Sequence, residues 1–132
     1  MRLLTKILLV PVFAGTLLSA CSSRKADKAD IYFEKGEYEL AAQSYTENLK
    51  NKPTDVKNLY NRGRAFQEMG KFSEAQADFE AALSSEPSNF QVLLSLATIQ
   101  LEQKSYASAL LYATKAEETP GAPAMASLLK GR

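Results

Sequence analysis

The chain has 132 residues, with 16 Lys and Arg against 15 Asp and Glu, one Cys, and neither His nor Trp. This length fits one ordinary domain, and the near-neutral charge lacks the basic surplus of a dedicated nucleic-acid binder. Without His and with a single Cys, the sequence excludes His-based catalysis, an internal disulfide and the usual zinc sites. We therefore expect no enzyme activity, no cofactor or metal, no small-molecule substrate and no nucleic-acid partner.

The first twenty residues have the pattern of an export signal. Arg2 and Lys6 precede an uncharged stretch over 7–18. A membrane-spanning helix needs about 20 apolar residues, and this stretch is shorter and contains a proline and a glycine. The pattern therefore predicts a cleaved signal peptide over residues 1–20.

The run Leu18-Ser19-Ala20-Cys21 resembles the lipobox of bacterial lipoproteins. The resemblance implies cleavage before Cys21 and a diacylglycerol thioether on its sulfur, with residues 21–23 forming a lipidated tether. Two or more acyl chains hold a protein stably at a membrane. Ser22, where an Asp would imply inner-membrane retention, implies attachment to the periplasmic face of the outer membrane. An ordinary signal peptide with an incidental Cys is the alternative.

The residues after the tether repeat with a period of 34. Gly36 is followed at this spacing by Gly70 and Lys104, and each of the three lies between two helix-length amphipathic stretches. Pro53 and Pro87 cannot continue a helix and mark the ends of second helices. Small residues that allow two helices to approach closely recur in the same register: Ala29, Gly63 and Ala97 in first helices, and Ala41, Ala75 and Ala109 in second helices. The sequence predicts helical hairpins over about 24–55, 56–89 and 90–120.

Two local features refine the predicted hairpins. The aromatic residues Tyr38, Phe72 and Tyr106 recur at the 34-residue spacing and are expected to fill the space beside the small residues. Thr54-Asp55 and Ser88-Asn89 offer side-chain oxygens to cap the first helices that follow, and Ser88, with Gln91 three residues later, fits a capping box.

The stretch from Gly70 to Pro87, GKFSEAQADFEAALSSEP, resembles the second helix of a tetratricopeptide repeat. The resemblance covers about 24–120 and implies an all-α solenoid of three such repeats. After it, Met125, Leu128 and Leu129 place one apolar stripe on a short helix predicted over 124–132. This helix would cover the exposed edge of the last hairpin, as solenoid caps do; a docking helix for a partner is the alternative.

First helices line a groove in such a stack, as the resemblance also implies. The candidate groove residues are Asp30, Phe33, Tyr60, Arg64, Gln67, Leu94, Thr98 and Leu101. Leu94 and Leu101 would contact an amphipathic helix or an extended peptide, unless the C-terminal helix folds back over them. Arg64 could pair with a partner carboxylate, or it could remain solvated beside Glu68.

These features together predict a non-enzymatic protein-binding module anchored to the outer membrane. Small lipoproteins of this makeup resemble pilotins and accessory factors of pilus and secretion machines. The resemblance implies that a secretin or pilus subunit is the partner in the groove. An adaptor that recruits a peptidoglycan-remodelling enzyme is the alternative.

Overall fold

The computed structural model describes residues 27–121, and the regular structure within them is entirely helical. The helices in chain order are α1 (Lys28–Glu34), α2 (Tyr38–Asn51), α3 (Val56–Glu68), α4 (Phe72–Ser85), α5 (Phe90–Glu102) and α6 (Tyr106–Glu117). They pair consecutively into hairpin 1 (α1 and α2), hairpin 2 (α3 and α4) and hairpin 3 (α5 and α6), and each hairpin packs on the next. The predicted all-α stack of three hairpins is confirmed.

Several predictions concern residues outside this range. The signal peptide, the tether with Cys21 and the helix over 124–132 all lie outside the described residues. Within residues 27–121, no helix combines the length and the apolar character needed to cross a membrane.

A residue with positive φ closes each hairpin at the position that the 34-residue period predicts. The angles are +75° at Gly36, +70° at Gly70 and +58° at Lys104. This left-handed conformation suits glycine and costs a side-chain-bearing residue free energy. In hairpin 1 the amide of Glu37 donates to the carbonyl of Tyr32 at 2.9 Å, which is the closing bond of a Schellman motif. The same turn therefore ends all three first helices, including the copy in which lysine replaces glycine.

Asp or Asn side chains begin the first helices. In each case a side-chain oxygen accepts a backbone N–H of the first turn at 2.9 to 3.2 Å, and the capping residues are Asp27, Asp55 and Asn89. These bonds satisfy donors that the helix itself leaves unpaired. The capping box predicted from Ser88 and Gln91 is wrong, because Asn89 is the residue that caps α5.

The core consists of close helix crossings at small residues, with larger side chains packed between hairpins. Among the small residues, Ala29, Ala41, Ala75, Ala97 and Ala109 are at most 4% exposed. Helix α5 is buried on more than one side, since Val92 and Ile99 are buried together with Leu93 and Leu96. The reason is that α5 packs against α4 on one side and against α6 on the other.

A buried ion pair joins the two helices of hairpin 2 and is linked to hairpin 1 by one hydrogen bond. Arg62 of α3 donates from Nε and Nη2 to the two carboxylate oxygens of Asp78 on α4, at 2.8 and 2.6 Å. Its Nη1 donates to the hydroxyl of Thr46 on α2 at 3.0 Å. Asp78 is only 5% exposed, so its carboxylate is bonded to Arg62 and largely shielded from solvent.

The outer side of hairpin 3 is more exposed than its counterparts. Tyr38 and Phe72 are half-buried, whereas Tyr106 is 66% exposed and Leu110, one turn later, is 53% exposed. The prediction that Tyr106 fills space beside small residues is therefore wrong. Within residues 27–121 no helix follows α6 as α3 follows α2. That residues 124–132 cover the outer side of hairpin 3 remains a prediction.

Candidate partner-binding groove

Two hollows open on the side of the stack that the first helices line. The first hollow, about 550 Å³, lies between α1 and α3, and α2 contributes part of its lining; its residues include Asp30, Phe33, Tyr38, Tyr45, Asn61 and Arg64. The second hollow, about 320 Å³, lies where α3 and α5 begin; its residues include Lys57, Tyr60, Asn61 and Gln91. Asn61 borders both. We refer to the two hollows and the adjoining side of α5 as the groove.

Arg64 is held by aromatic rings in the first hollow. Its guanidinium carbon lies 4.6 Å from the ring centroid of Phe33 and 5.8 Å from that of Tyr60. A guanidinium over a ring is attracted by the negative face of the ring, and its in-plane N–H groups remain available for hydrogen bonding. None of the ion pairs described for residues 27–121 uses Arg64. The structure thus places it against aromatic rings, half-buried, and not in solvent beside Glu68.

The two rings that contact Arg64 are themselves fixed by packing. Phe33 meets Tyr38 edge-on, with ring centroids 5.3 Å apart. Tyr60 packs on the fully buried ring of Phe79 at a centroid separation of 5.8 Å. Aromatic pairs at such separations stabilise each other beyond the area they bury. The positions of both rings are therefore set by contacts within the protein.

Asp30 receives hydrogen bonds from two other helices. Its Oδ1 accepts from the hydroxyl of Tyr45 at 2.7 Å and from Nδ2 of Asn61 at 3.3 Å. Its Oδ2 accepts from Nζ of Lys57 at 2.8 Å. Burial raises the pKa of Asp30, but the hydrogen bonds from Lys57 and Tyr45 outweigh it and hold that pKa below its ordinary value. The same ion pair raises the pKa of Lys57, so both groups are charged at neutral pH.

The other predicted groove residues extend away from the two hollows. Gln67, Leu94 and Thr98 are half-buried, and Leu101 is 39% exposed. The hydroxyl of Thr98 donates to the carbonyl of Leu94 at 3.0 Å, so it is already used within α5. The spacing of Leu94, Thr98 and Leu101 places them on one side of α5. The C-terminal residues that would fold over Leu94 and Leu101 lie outside the described range.

The structure brings Phe33, Tyr60 and Arg64 together as one cluster. It places Lys57, which the sequence puts on the same groove face as Tyr60 and Arg64, in the second hollow, and it adds Asn61 and Tyr45. A pattern that includes Asn61 was present, because Lys57, Asn61 and Arg64 lie at i, i+4 and i+7, which is one side of a helix. No sequence pattern indicated Tyr45 as a groove residue, because its ring is buried in the core and only its hydroxyl reaches Asp30.

Comparison with known proteins assigns the fold to a family. Family models described as "TPR repeat" and "Tetratricopeptide repeat" match residues 29–70 and 60–123. The TPR2B domain of yeast Sti1, solved as a complex with pHsp70, is 31% identical with a TM-score of 0.69, over 77% of this chain and 84% of that one. The chain belongs to the tetratricopeptide repeat family. It is accordingly a protein-interaction module, which confirms the coarser part of the predicted function.

Other tetratricopeptide repeat proteins share the fold or part of the sequence. The TPR domain of Arabidopsis OM64 superposes with a TM-score of 0.74 at 21% identity, over 83% of this chain and 90% of that one. Protein SGT1 homolog of rice is 31% identical over 72% of this chain, and sperm-associated antigen 1 of rat is 34% identical over 67%. The chain spans only 26% of the rice protein and 10% of the rat protein.

Proposed function

We propose that this chain is a lipid-anchored module that holds a segment of an envelope protein in its groove and assists assembly of a pilus, secretin or secretion machine at the outer membrane. The observation that carries the binding part is Arg64, whose guanidinium lies over the rings of Phe33 and Tyr60 at the edge of a hollow of about 550 Å³.

The residue types in the cluster support a protein partner. Aromatic residues and Arg account for most of the strong anchors in protein interfaces. Because the rings and the guanidinium are already packed together, less side-chain freedom is lost when a partner binds. Two complexes of relatives agree with a protein ligand: domains of yeast Sti1 are solved with pHsp70 and with pHSP90.

The membrane part of the proposal is supported by the lipobox and by the small number of residues between Cys21 and α1. Asp27, which caps α1, is six residues beyond Cys21. Six extended residues span at most about 20 Å. A lipid on Cys21 would therefore keep hairpin 1, and with it the first hollow, close to the membrane surface.

Replacing Cys21 by serine is expected to abolish lipid attachment and to leave an unprocessed or soluble species. The reason is that serine has no thiol to accept the diacylglycerol, and no helix in residues 27–121 can span a membrane. Fractionation of the envelope, followed by a high-salt wash, measures the change. If Cys21→Ser were processed to mature size and still pelleted with the outer membrane, lipid anchoring would be the wrong explanation.

Tyr60→Ala and Arg64→Ala are each expected to reduce capture of the partner roughly 30-fold, because loss of a central anchor typically costs about 2 kcal/mol or more. The measurement is quantitative co-purification from envelope cross-linked in cells, with secretin and pilus components identified by mass spectrometry. Tyr106→Ala, an exposed tyrosine outside the groove, is the matched control and should capture normally.

A thermal melt of each variant separates binding from folding. Arg64→Ala should melt close to the unchanged chain, while Tyr60→Ala should lose some stability because Tyr60 packs on Phe79. Undiminished capture by two folded groove variants would move the binding site elsewhere on the protein.

A further inference from the structure

The groove already contains a carboxylate bound by a complete set of donors. A phenol on α2 and an ammonium and an amide on α3 converge on Asp30 of α1, with donor to acceptor distances of 2.7 to 3.3 Å. This set is what a protein offers to an anionic ligand: a cation and two neutral donors directed at two oxygens. Asp30 lines the first hollow and Lys57 the second, so the ion pair lies between them.

Stability alone does not account for this arrangement. The side chain of Lys57 is 64% exposed and that of Asp30 is 31% exposed, and ion pairs at such exposed positions contribute little to folding. Hairpins 1 and 2 are in addition held by the hydrogen bond from Arg62 to the hydroxyl of Thr46 and by the apolar cluster around Tyr45. Asp30 therefore has a role in the groove beyond its contribution to folding.

We propose that Asp30 determines specificity: its carboxylate occupies the donors of Lys57, Asn61 and Tyr45, so that the groove rejects a partner segment with a carboxylate at this point and accepts a neutral or cationic one. A carboxylate on the partner would be repelled by the negative charge of Asp30, and the three donors would already be hydrogen-bonded to Asp30. Glu34, which also lines the first hollow, adds to the repulsion at Asp30, whereas Arg64, the cation that lines this hollow, keeps its N–H groups for acceptors elsewhere on the partner. This inference rests on the proposed function, because it concerns which segments the groove admits.

The proposal makes removal of Asp30 a gain of function. In Asp30→Asn the three donors remain, the negative charge is lost, and Lys57 loses the carboxylate that binds it. The probes are two short peptides of the same length: N-acetyl-Tyr-Leu-Ala-Asp, with carboxylates on its side chain and its C-terminus, and the uncharged N-acetyl-Tyr-Leu-Ala-Asn with a C-terminal amide. Each is titrated by isothermal calorimetry against the full chain, purified in detergent.

The full chain with Asp30 should bind the acidic peptide no better than the neutral one. Asp30→Asn should bind the acidic peptide at least about tenfold more tightly than the unchanged chain does, which corresponds to about 1.4 kcal/mol, and should leave binding of the neutral peptide unaltered. Adding Lys57→Gln to Asp30→Asn should remove the gain. Glu39→Gln, which removes an exposed carboxylate outside the two hollows, controls for net charge and should change nothing.

Several outcomes would overturn the assignment. They are preference of the unchanged chain for the acidic peptide, absence of a gain in folded Asp30→Asn, and a gain that survives Lys57→Gln. Circular dichroism checks that the variants are folded. Asp30→Ser, which keeps a hydroxyl for Tyr45, takes the place of Asp30→Asn if the latter is unfolded at the assay temperature. A failure to capture envelope proteins would instead count against the proposed function and would leave the peptide result standing.

Discussion

Replacing Asp78 by alanine is expected to lower the free energy of unfolding by about 3 kcal/mol, because removing one partner of a buried pair leaves an uncompensated charge. Asp78 is 5% exposed and takes both of its hydrogen bonds from Arg62. The alanine variant would leave that guanidinium largely buried, with only the hydroxyl of Thr46 as an acceptor. Urea denaturation followed by circular dichroism measures the loss.

Two further variants show whether the charge causes the loss. Glu74→Ala, at an exposed position of the same helix, should change the free energy of unfolding by less than about 0.5 kcal/mol. The double variant Arg62→Met with Asp78→Leu should be more stable than Asp78→Ala, since apolar residues of similar volume can replace a buried pair at little cost. An Asp78→Ala variant as stable as the unchanged chain would show that the pair contributes nothing.

Gly63→Leu is expected to destabilise the fold by about 3 kcal/mol, at the upper end of what overpacking costs. Even a Cβ at this position would lie 2.6 Å from Cε1 and 2.9 Å from Cδ1 of Phe79, whose ring is completely buried. Alanine should therefore also destabilise, although its better helix propensity offsets up to about 1 kcal/mol. Thermal unfolding by circular dichroism decides.

The origin of the effect can be tested at Phe79. Shortening that side chain in Gly63→Ala with Phe79→Leu should make the two changes less than additive, because the smaller residue vacates the space that the new Cβ needs. Ala81→Leu, at an exposed position of α4, is the control and should melt like the unchanged chain. Strict additivity would mean that the ring of Phe79 is not what excludes a side chain at position 63.

The sequence was sufficient to predict the hairpins because their signals are local and repeated. Gly36 and Gly70 mark two turns, and the register alone locates the third at Lys104, where the φ of +58° confirms it. Helices α2 and α4 end at Asn51 and Ser85, each shortly before its proline. Each of these turns and helix ends depends only on the nearest few residues. Because they recur every 34 residues, one copy supports the prediction for the next.

The polar contacts could not be predicted in the same way. Asp78 lies in a helix among Gln, Glu and Ala, where a carboxylate suggests a solvent-exposed position, and its partner Arg62 is sixteen residues earlier. Asp30 was expected in the groove, but Tyr45 and Lys57 reach it from different helices. Such pairs depend on how one helix lies across another, and the repeat does not encode them because they occur in one copy only.

The two contacts between hairpins differ in chemistry, and the stack should therefore respond unequally to its solvent. Hairpins 1 and 2 meet through a small cluster of alanines with Tyr45, through the exposed ion pair of Asp30 with Lys57, and through the hydrogen bond from Arg62 to Thr46. Hairpins 2 and 3 meet through a larger apolar cluster that contains Phe79, Val92, Leu96 and Ile99. Added salt screens the exposed pair at the first contact and leaves the second unchanged or strengthened, while cooling weakens mainly the second. Ionic strength and temperature thus act on opposite ends of the groove.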